Sequence, residues 1–372
     1  MRELLSELRD WHTSGTPFAL ATVVAVRGSA PRAVGAAMAV RADGTVAGSV
    51  SGGCVESDVC EVAAEALTTG EPSLRTYGIS DDDAFAVGLT CGGTIEVLVR
   101  PYVSEPDREG LRALVGLVTA GVPVAVATVV SPEASLGAGR VVLADRADGS
   151  LGDERLDAAV TDDARELLAR GAMASHRYGA HGERRMRDVT VFVQTFAPAP
   201  RMLVFGAIDH AAATARIGSF LGYRVTVCDA RPAFATRQRF PTADEVVCAW
   251  PHTYLESADV DARTVVCVLT HDPKFDVPLL AAALRTPASY IGVMGSRRTH
   301  ADRIARLREA GVDEESLARL AAPVGLDLGA RTPEETAVSI AAEIVRHRRG
   351  GTGRPLSELT GPIHHHTRQP DA

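Results

Sequence analysis

The chain lacks any apolar run near the roughly 20 residues needed to cross a bilayer, so no membrane-spanning helix is expected. Its first residues, MRELLSELRDWH, are charged and amphipathic and lack the apolar stretch of a secretory leader, which predicts a cytoplasmic protein. No two of the six cysteines (54, 60, 91, 228, 248, 267) stand as C-x-x-C, which argues against zinc. In a long cytosolic chain six scattered cysteines also argue against a disulfide framework. Aromatics are scarce, at 5% against 46% hydrophobic residues, so the cores are expected to be built from Ala, Val and Leu. Charge is not of one sign: the net charge is −8, with acids and bases mixed along the chain, and nothing here argues for nucleic-acid or anionic-membrane binding.

The 372 residues are enough for two domains. The break is expected at Ala197-Pro198-Ala199-Pro200, where closely spaced prolines interrupt both helix and ladder. It separates an N-terminal mixed α+β domain (1–197) from a C-terminal Rossmann-like, doubly wound α/β domain (201–350). A Gly/Pro-rich tail (351–372) carrying His364-His365-His366 is expected to be poorly ordered. In the second half, short Val-rich runs at 202–205, 224–228, 245–249, 264–269 and 290–294 alternate with helical stretches, the pattern of a parallel sheet buried on both faces. Thr332-Pro333-Glu334-Glu335 opens the last helix with a cap, a first-turn proline and a capping-box Glu. Val338, Ile340, Ala341, Ile344 and Val345 are expected to form its apolar face. In the first half, strands are expected at 18–26, 36–40, 45–50, 94–99, 123–130, 139–144 and 189–194. Helices are expected at 55–69, 106–119 and 156–170. The order of its sheet is not legible.

Two segments of the first half echo each other: Ser49-Val50-Ser51-Gly52-Gly53-Cys54-Val55-Glu56 and Leu89-Thr90-Cys91-Gly92-Gly93-Thr94-Ile95-Glu96. Paired glycines let the backbone approach a ligand and aim N–H groups at an anion. Cys54 falls where a helix begins, and the dipole there favours thiolate. The competing reading is two tight turns with small buried cysteines. Cys60, Cys228, Cys248 and Cys267 read as packing residues. Arg32, in the loop Gly28-Ser29-Ala30-Pro31-Arg32, either holds a phosphate or carboxylate or is simply exposed.

In doubly wound sheets ligands lie beyond the carboxyl ends of the strands. Gly206, Asp229, His271, Ser296 and Arg297 are expected at that edge. A dinucleotide fingerprint needs a second glycine for the pyrophosphate, and Ile208 stands there. Asp209 then adds negative charge where phosphate would sit. Both oppose NAD(P). Asp229 has the spacing of a ribose-binding acid, and Arg231 suits a 2′-phosphate. Arg297 and Arg298 at a helix start suit an anion. His271 and Asp272 read either as an acid–base pair or as structural.

In order and spacing, Arg27-Gly28-Ser29-Ala30-Pro31-Arg32, Gly35-Ala36, Gly48 to Glu56, Cys91-Gly92-Gly93, Thr270 to Asp276, Tyr290 to Arg298 and Pro323 to Asp327 resemble the XdhC/CoxI family across roughly residues 5–350. The family's usual Gly-Ala-Gly-His is Gly206-Ala207-Ile208-Asp209 here. The resemblance implies a maturation factor for molybdenum hydroxylases such as xanthine dehydrogenase, more an accessory protein than a catalyst. Such a protein binds molybdenum cofactor (molybdopterin) transiently, holds it during sulfuration and delivers it to the apo-hydroxylase. It also implies a cysteine desulfurase or sulfurtransferase partner and a homodimer. Carried over by motif, Cys54, Glu56 and Cys91 become cofactor-site candidates, joined by Arg32, Gly52, Gly53, Gly92, Gly93, Gly206, Asp229, His271, Ser296 and Arg297; no metal ligands are expected. The alternatives are an NAD(P)-dependent oxidoreductase and a docking partner that holds no cofactor.

Overall fold

The computed structural model describes residues 2–78, 92–270 and 272–360. The chain divides into two compact units, residues 1–198 and 199–360. The first unit runs α1 (Leu5–Thr13), β1 (Phe18–Arg27), β2 (Ala37–Arg41), β3 (Val46–Gly48), α2 (Glu56–Thr69), β4 (Ser73–Tyr77) and β5 (Thr94–Tyr102). It continues with α3 (Glu105–Thr119), β6 (Val124–Ser131), β7 (Gly139–Val142), β8 (Ala147–Gly149), α4 (Glu154–Arg170), β9 (Ala174–Tyr178) and β10 (Val189–Phe196). These strands form two five-stranded antiparallel sheets, in the orders β3-β2-β1-β5-β4 and β8-β7-β6-β10-β9.

Strand β1 shows why the first sheet sits inside. Its side chains alternate between faces. Ala19, Ala21 and Val23 pack with Val59, Val62 and Ala63 of α2. Phe18 and Leu20 pack with α1, α3 and the second sheet. Val24 and Leu98 meet Val130 and Phe192 of the second sheet directly. The far face of the second sheet is covered by Leu156, Val160, Ala164 and Leu168 of α4. Strands β4, β8 and β9 were not legible in the sequence. They are short, and SLRTY and ASHRY mix polar and apolar residues.

The second unit runs β11 (Arg201–Phe205), α5 (Asp209–Phe220), β12 (Arg224–Asp229), β13 (Glu245–Cys248), α6 (Pro251–Ser257), β14 (Val265–Val268), α7 (Pro273–Leu284) and β15 (Tyr290–Val293). It ends with α8 (Arg297–Glu309), α9 (Glu314–Leu317), β16 (Leu320–Ala321) and α10 (Pro333–Arg349). All its paired strands are parallel, in the order β13-β12-β11-β14-β15-β16. Helices α5 and α10 cover one face and α6, α7 and α8 the other. This is the doubly wound arrangement expected, with its switch point between β11 and β14.

Helix α10 has the cap read from its sequence: Thr332 accepts the Glu335 amide at 3.1 Å, and Glu335 accepts the Thr332 amide at 3.0 Å. One apolar assignment is corrected. Val338 is 49% exposed, because the helix turns Ala337 and Ser339 inward instead. Among the described residues no helix is long and apolar enough to cross a membrane.

Candidate functional site

The Cys54 loop encloses an anion, and the anion is its own Glu56. Oε1 of Glu56 accepts the Ser49 hydroxyl at 2.6 Å and the amides of Val50, Ser51 and Gly52 at 3.2, 2.8 and 3.0 Å. Oε2 accepts the Ser51 hydroxyl and the amides of Gly53 and Val55 at 2.8 and 3.2 Å. Burial alone would raise the Glu56 pKa. The two serine hydroxyls and the Ser51 amide outweigh it and hold the carboxyl down at about 2. The amides expected to cradle a ligand phosphate are therefore already engaged. The positive end of α2, expected to act on Cys54, is faced by the Glu56 charge. Cys54 is half-buried, its amide bonded to the Ser51 hydroxyl at 2.9 Å and its side chain against the core shared by α2 and β1.

Three of the sequence-derived segments meet here. Arg32 reaches the Ser49 carbonyl through Nε at 3.4 Å and Glu3 through Nη2 at 3.2 Å, tying its loop to the Cys54 loop. Gly93 lies against residues 27–29: a Cβ there would stand 2.1 Å from the Ser29 carbonyl oxygen and 2.9 Å from that of Arg27. Only glycine permits that approach. Above Gly52, Gly53 and Gly92 there is open space, with no heavy atom within 4 Å of a would-be Cβ. Cys91 lies outside the described residues.

The other cysteines separate by environment. Burial pushes the thiols of Cys228 and Cys267 up to about 12, as suits packing residues. Cys60 is also raised, by burial and then by the Glu56 charge. Cys248 is a correction: it is exposed at the carboxyl end of the edge strand β13, where no outer strand covers it.

At the carboxyl edge of the second unit's sheet, Gly206 makes the expected tight turn. A Cβ would meet the Thr270 methyl at 2.9 Å. Asp229, however, has no acceptor capacity to spare for a ribose. Its Oδ2 accepts the Ala207 amide at 2.7 Å and Arg231 Nη2 at 2.8 Å. Its Oδ1 accepts the Arg231 amide at 2.8 Å and Arg231 Nε at 2.9 Å. Burial opposes the charge on Asp229, and the Arg231 guanidinium with the two amides overcomes it and keeps the pKa low. Arg231, in turn, gives Nε and Nη2 to Asp229 and stacks 4.5 Å over Phe234. Ile208 is the N-cap of α5 and gives no side-chain cap, and the exposed Asp209 follows it. Ile208, Asp209 and the engagement of Asp229 by Arg231 all work against a dinucleotide in its usual pose.

Further along the same edge, Ser296 caps α8 by accepting the Thr299 amide at 3.1 Å, and Arg297 and Arg298 are exposed in its first turn. Beneath them lies a group that sequence reading missed. Arg303 is paired with Asp276 at 2.8 Å, each side chain 4% exposed, and Asp276 is also bonded by the Thr270 hydroxyl. A polar residue spaced along an already polar helix carries no burial signal. His271 lies outside the described residues, and Asp272 caps α7 by accepting the Lys274 amide at 3.1 Å.

Comparison with known proteins agrees with this architecture. The family model described as the XdhC Rossmann domain matches residues 202–344, and that of the XdhC and CoxI family matches residues 11–78 and 117–179. Residues 79–116, with Cys91, Gly92 and Gly93, fall between the matched blocks. A Bacillus subtilis protein named as a probable component of xanthine dehydrogenase is 30% identical over 332 residues, 89% of this chain and 93% of its own. The molybdenum cofactor insertion chaperone PaoD of Escherichia coli is 28% identical over 341 residues, 90% of this chain and 85% of its own. A crystal structure described as a xanthine dehydrogenase from Bacillus halodurans has a TM-score of 0.65 at 26% identity, covering 96% of this chain and 99% of that one. The chain belongs to the XdhC and CoxI family.

Proposed function

We propose that this chain is a maturation chaperone: it binds molybdenum cofactor as cargo, supports its sulfuration, and hands it to a molybdenum hydroxylase such as xanthine dehydrogenase. The observation that carries the reading is likeness over 90% of the chain to a relative named a molybdenum cofactor insertion chaperone. The first unit supports it with a half-buried cysteine that directly follows two glycines with open space above them. Cys54 would face the metal end of the cargo, since a thiolate suits a soft metal. Glu56 would fix the loop that presents Cys54, and Arg32 would brace it. The loop's amides would not hold the cargo's phosphate, because Glu56 already takes them. Its partners would be the apo-hydroxylase and a cysteine desulfurase, its location the cytoplasm, and its working form a homodimer.

The test is co-expression with the cofactor pathway, purification, oxidation and assay of the fluorescent pterin product. Pterin should co-purify with wild type and be much reduced in Cys54→Ala. Absence of pterin, with Cys54→Ala activating the hydroxylase as well as wild type does, would refute the reading.

A further inference from the structure

We propose that the N-terminus of α8 is a phosphate-binding site, with Arg303 as its floor and Arg297 and Arg298 as its rim. Ser296 satisfies only the Thr299 amide. Among the described residues the amides of Arg297 and Arg298 have no acceptor, as at any open helix start. The second observation is independent of the helix end. Arg303 is 4% exposed, and its Nη2 donates to Asp276 Oδ2 at 2.8 Å and to the Met294 carbonyl at 3.1 Å. Its Nη1 is buried and has no acceptor among the described residues. That nitrogen lies 3.5 Å from the point a Cβ on Gly295 would occupy, so it faces the residue just before the Ser296 cap. A buried guanidinium N–H without an acceptor is costly, and such groups in folded proteins normally have a partner.

The first turn of α8 holds no acid, and Asp302 follows one turn later. Asp276 is already matched by Arg303, while Arg297 and Arg298 add two exposed guanidinium groups at the positive end of a helix. Cations there are unfavourable unless an anion lies among them. Two open amides, a buried N–H and two guanidinium groups can donate to several oxygens of one tetrahedral dianion, more than a carboxylate offers. The place is also the carboxyl edge of the parallel sheet, where doubly wound folds bind ligands. A phosphate here is needed neither by the Glu56 loop nor by the Asp229–Arg231 clasp, and it does not depend on a pterin carrying it.

The full-length protein is titrated calorimetrically with inorganic phosphate and, separately, with glycerol phosphate, at constant chloride. Both variants alter the site without removing the fold's apolar contacts: Arg297→Glu/Arg298→Glu changes exposed side chains only, and Arg303→Lys keeps a cation opposite Asp276 but lacks Nη1. Saturable binding is expected, weakened about tenfold or more by the double reversal and several-fold by Arg303→Lys. Tighter binding of glycerol phosphate than of inorganic phosphate would identify an organic phosphate as the ligand, and the reverse order would identify free phosphate. No saturable heat up to about 20 mM of either, or equal affinity in wild type and the double variant, would overturn the proposal. If Arg303→Lys does not fold, the exposed double variant decides alone. Pterin recovery is a separate assay, so failure here leaves the chaperone reading standing.

Discussion

Glu56→Gln tests the central local finding, that the glycine turn is organised around the protein's own carboxylate. Glutamine keeps the shape and replaces one oxygen with an NH2. If that NH2 takes the Oε2 position, the Ser51 hydroxyl and the amides of Gly53 and Val55 face a donor instead of an acceptor. Hydrogen bonds to a charged group are each worth about 1.5–3 kcal/mol, less where water can replace the lost partner. A second route gives a similar size. A fall from the ordinary 4.5 to about 2, at roughly 1.36 kcal/mol per unit, sets a ceiling of ~3.4 kcal/mol. Solvent screening of a half-buried group brings that to about 1–2 kcal/mol. We expect Glu56→Gln to destabilise the first unit by about 2 kcal/mol near neutral pH.

The pH dependence gives the sharper check. A carboxyl held below its unfolded pKa contributes stability that is complete above that pKa and is lost as pH falls through the folded value. The contribution of Glu56 should be complete above about pH 5 and fade towards about pH 2. The gap between wild type and Glu56→Gln should therefore close over that range. The two tryptophans lie one in each unit, Trp11 and Trp250. In a Trp250→Phe background, Trp11 fluorescence during urea unfolding reports on the first unit alone. A variant as stable as wild type near neutral pH, or a gap that persists undiminished at low pH, would show that the carboxylate does not hold the loop as an anion.

Gly93→Ala should destabilise the first unit by roughly 1–3 kcal/mol, because the new methyl meets the Ser29 carbonyl and backbone must move; urea unfolding followed by Trp11 measures it. Asp276→Asn leaves Arg303 buried without its counter-charge and should cost the second unit about 3–5 kcal/mol in chemical denaturation. Calorimetric titration with NADH or NADPH should show no binding at about millimolar nucleotide, and Ile208→Gly alone should not restore it, since Asp229 stays clasped by Arg231. Tight binding by that variant would mean that Asp229 can exchange Arg231 for a ribose.

The second unit was legible because its signals are local. Each strand is a short apolar run, each crossover returns the chain in parallel, and Thr332 with Glu335 marks a helix start within four residues. The first unit resisted because its pairings are not local. Strand β1 takes β5 as a neighbour across β2, β3, α2 and β4, and nothing within either strand names the other. The same distinction runs through the sites. Cys54 between Gly53 and a helix start was visible, and so was the acid at 229. What each polar group does was not, because that depends on which partner reaches it. Glu56 stands at the first position of its helix, not the third where a capping-box acid is sought, so its role in closing the loop has no standard spacing. Arg231 stands two residues from Asp229, a spacing that offers its amide to the carboxylate, but no spacing rule brings its guanidinium to the same carboxylate.

These partners change what an anion site in this fold means. A glycine pair or a strand-end acid marks a place where the backbone can hold or oppose charge, and here both places are filled from within the chain. The unfilled capacity lies where neither motif pointed, in the buried Nη1 of Arg303 beneath α8. An anion would find open donors there, whereas the Cys54 loop of the first unit is held by its own carboxylate, Glu56. Pre-organisation of that kind lowers the ordering cost of binding. Under the chaperone reading proposed above, the loop held by Glu56 would not need the cargo in order to keep its shape.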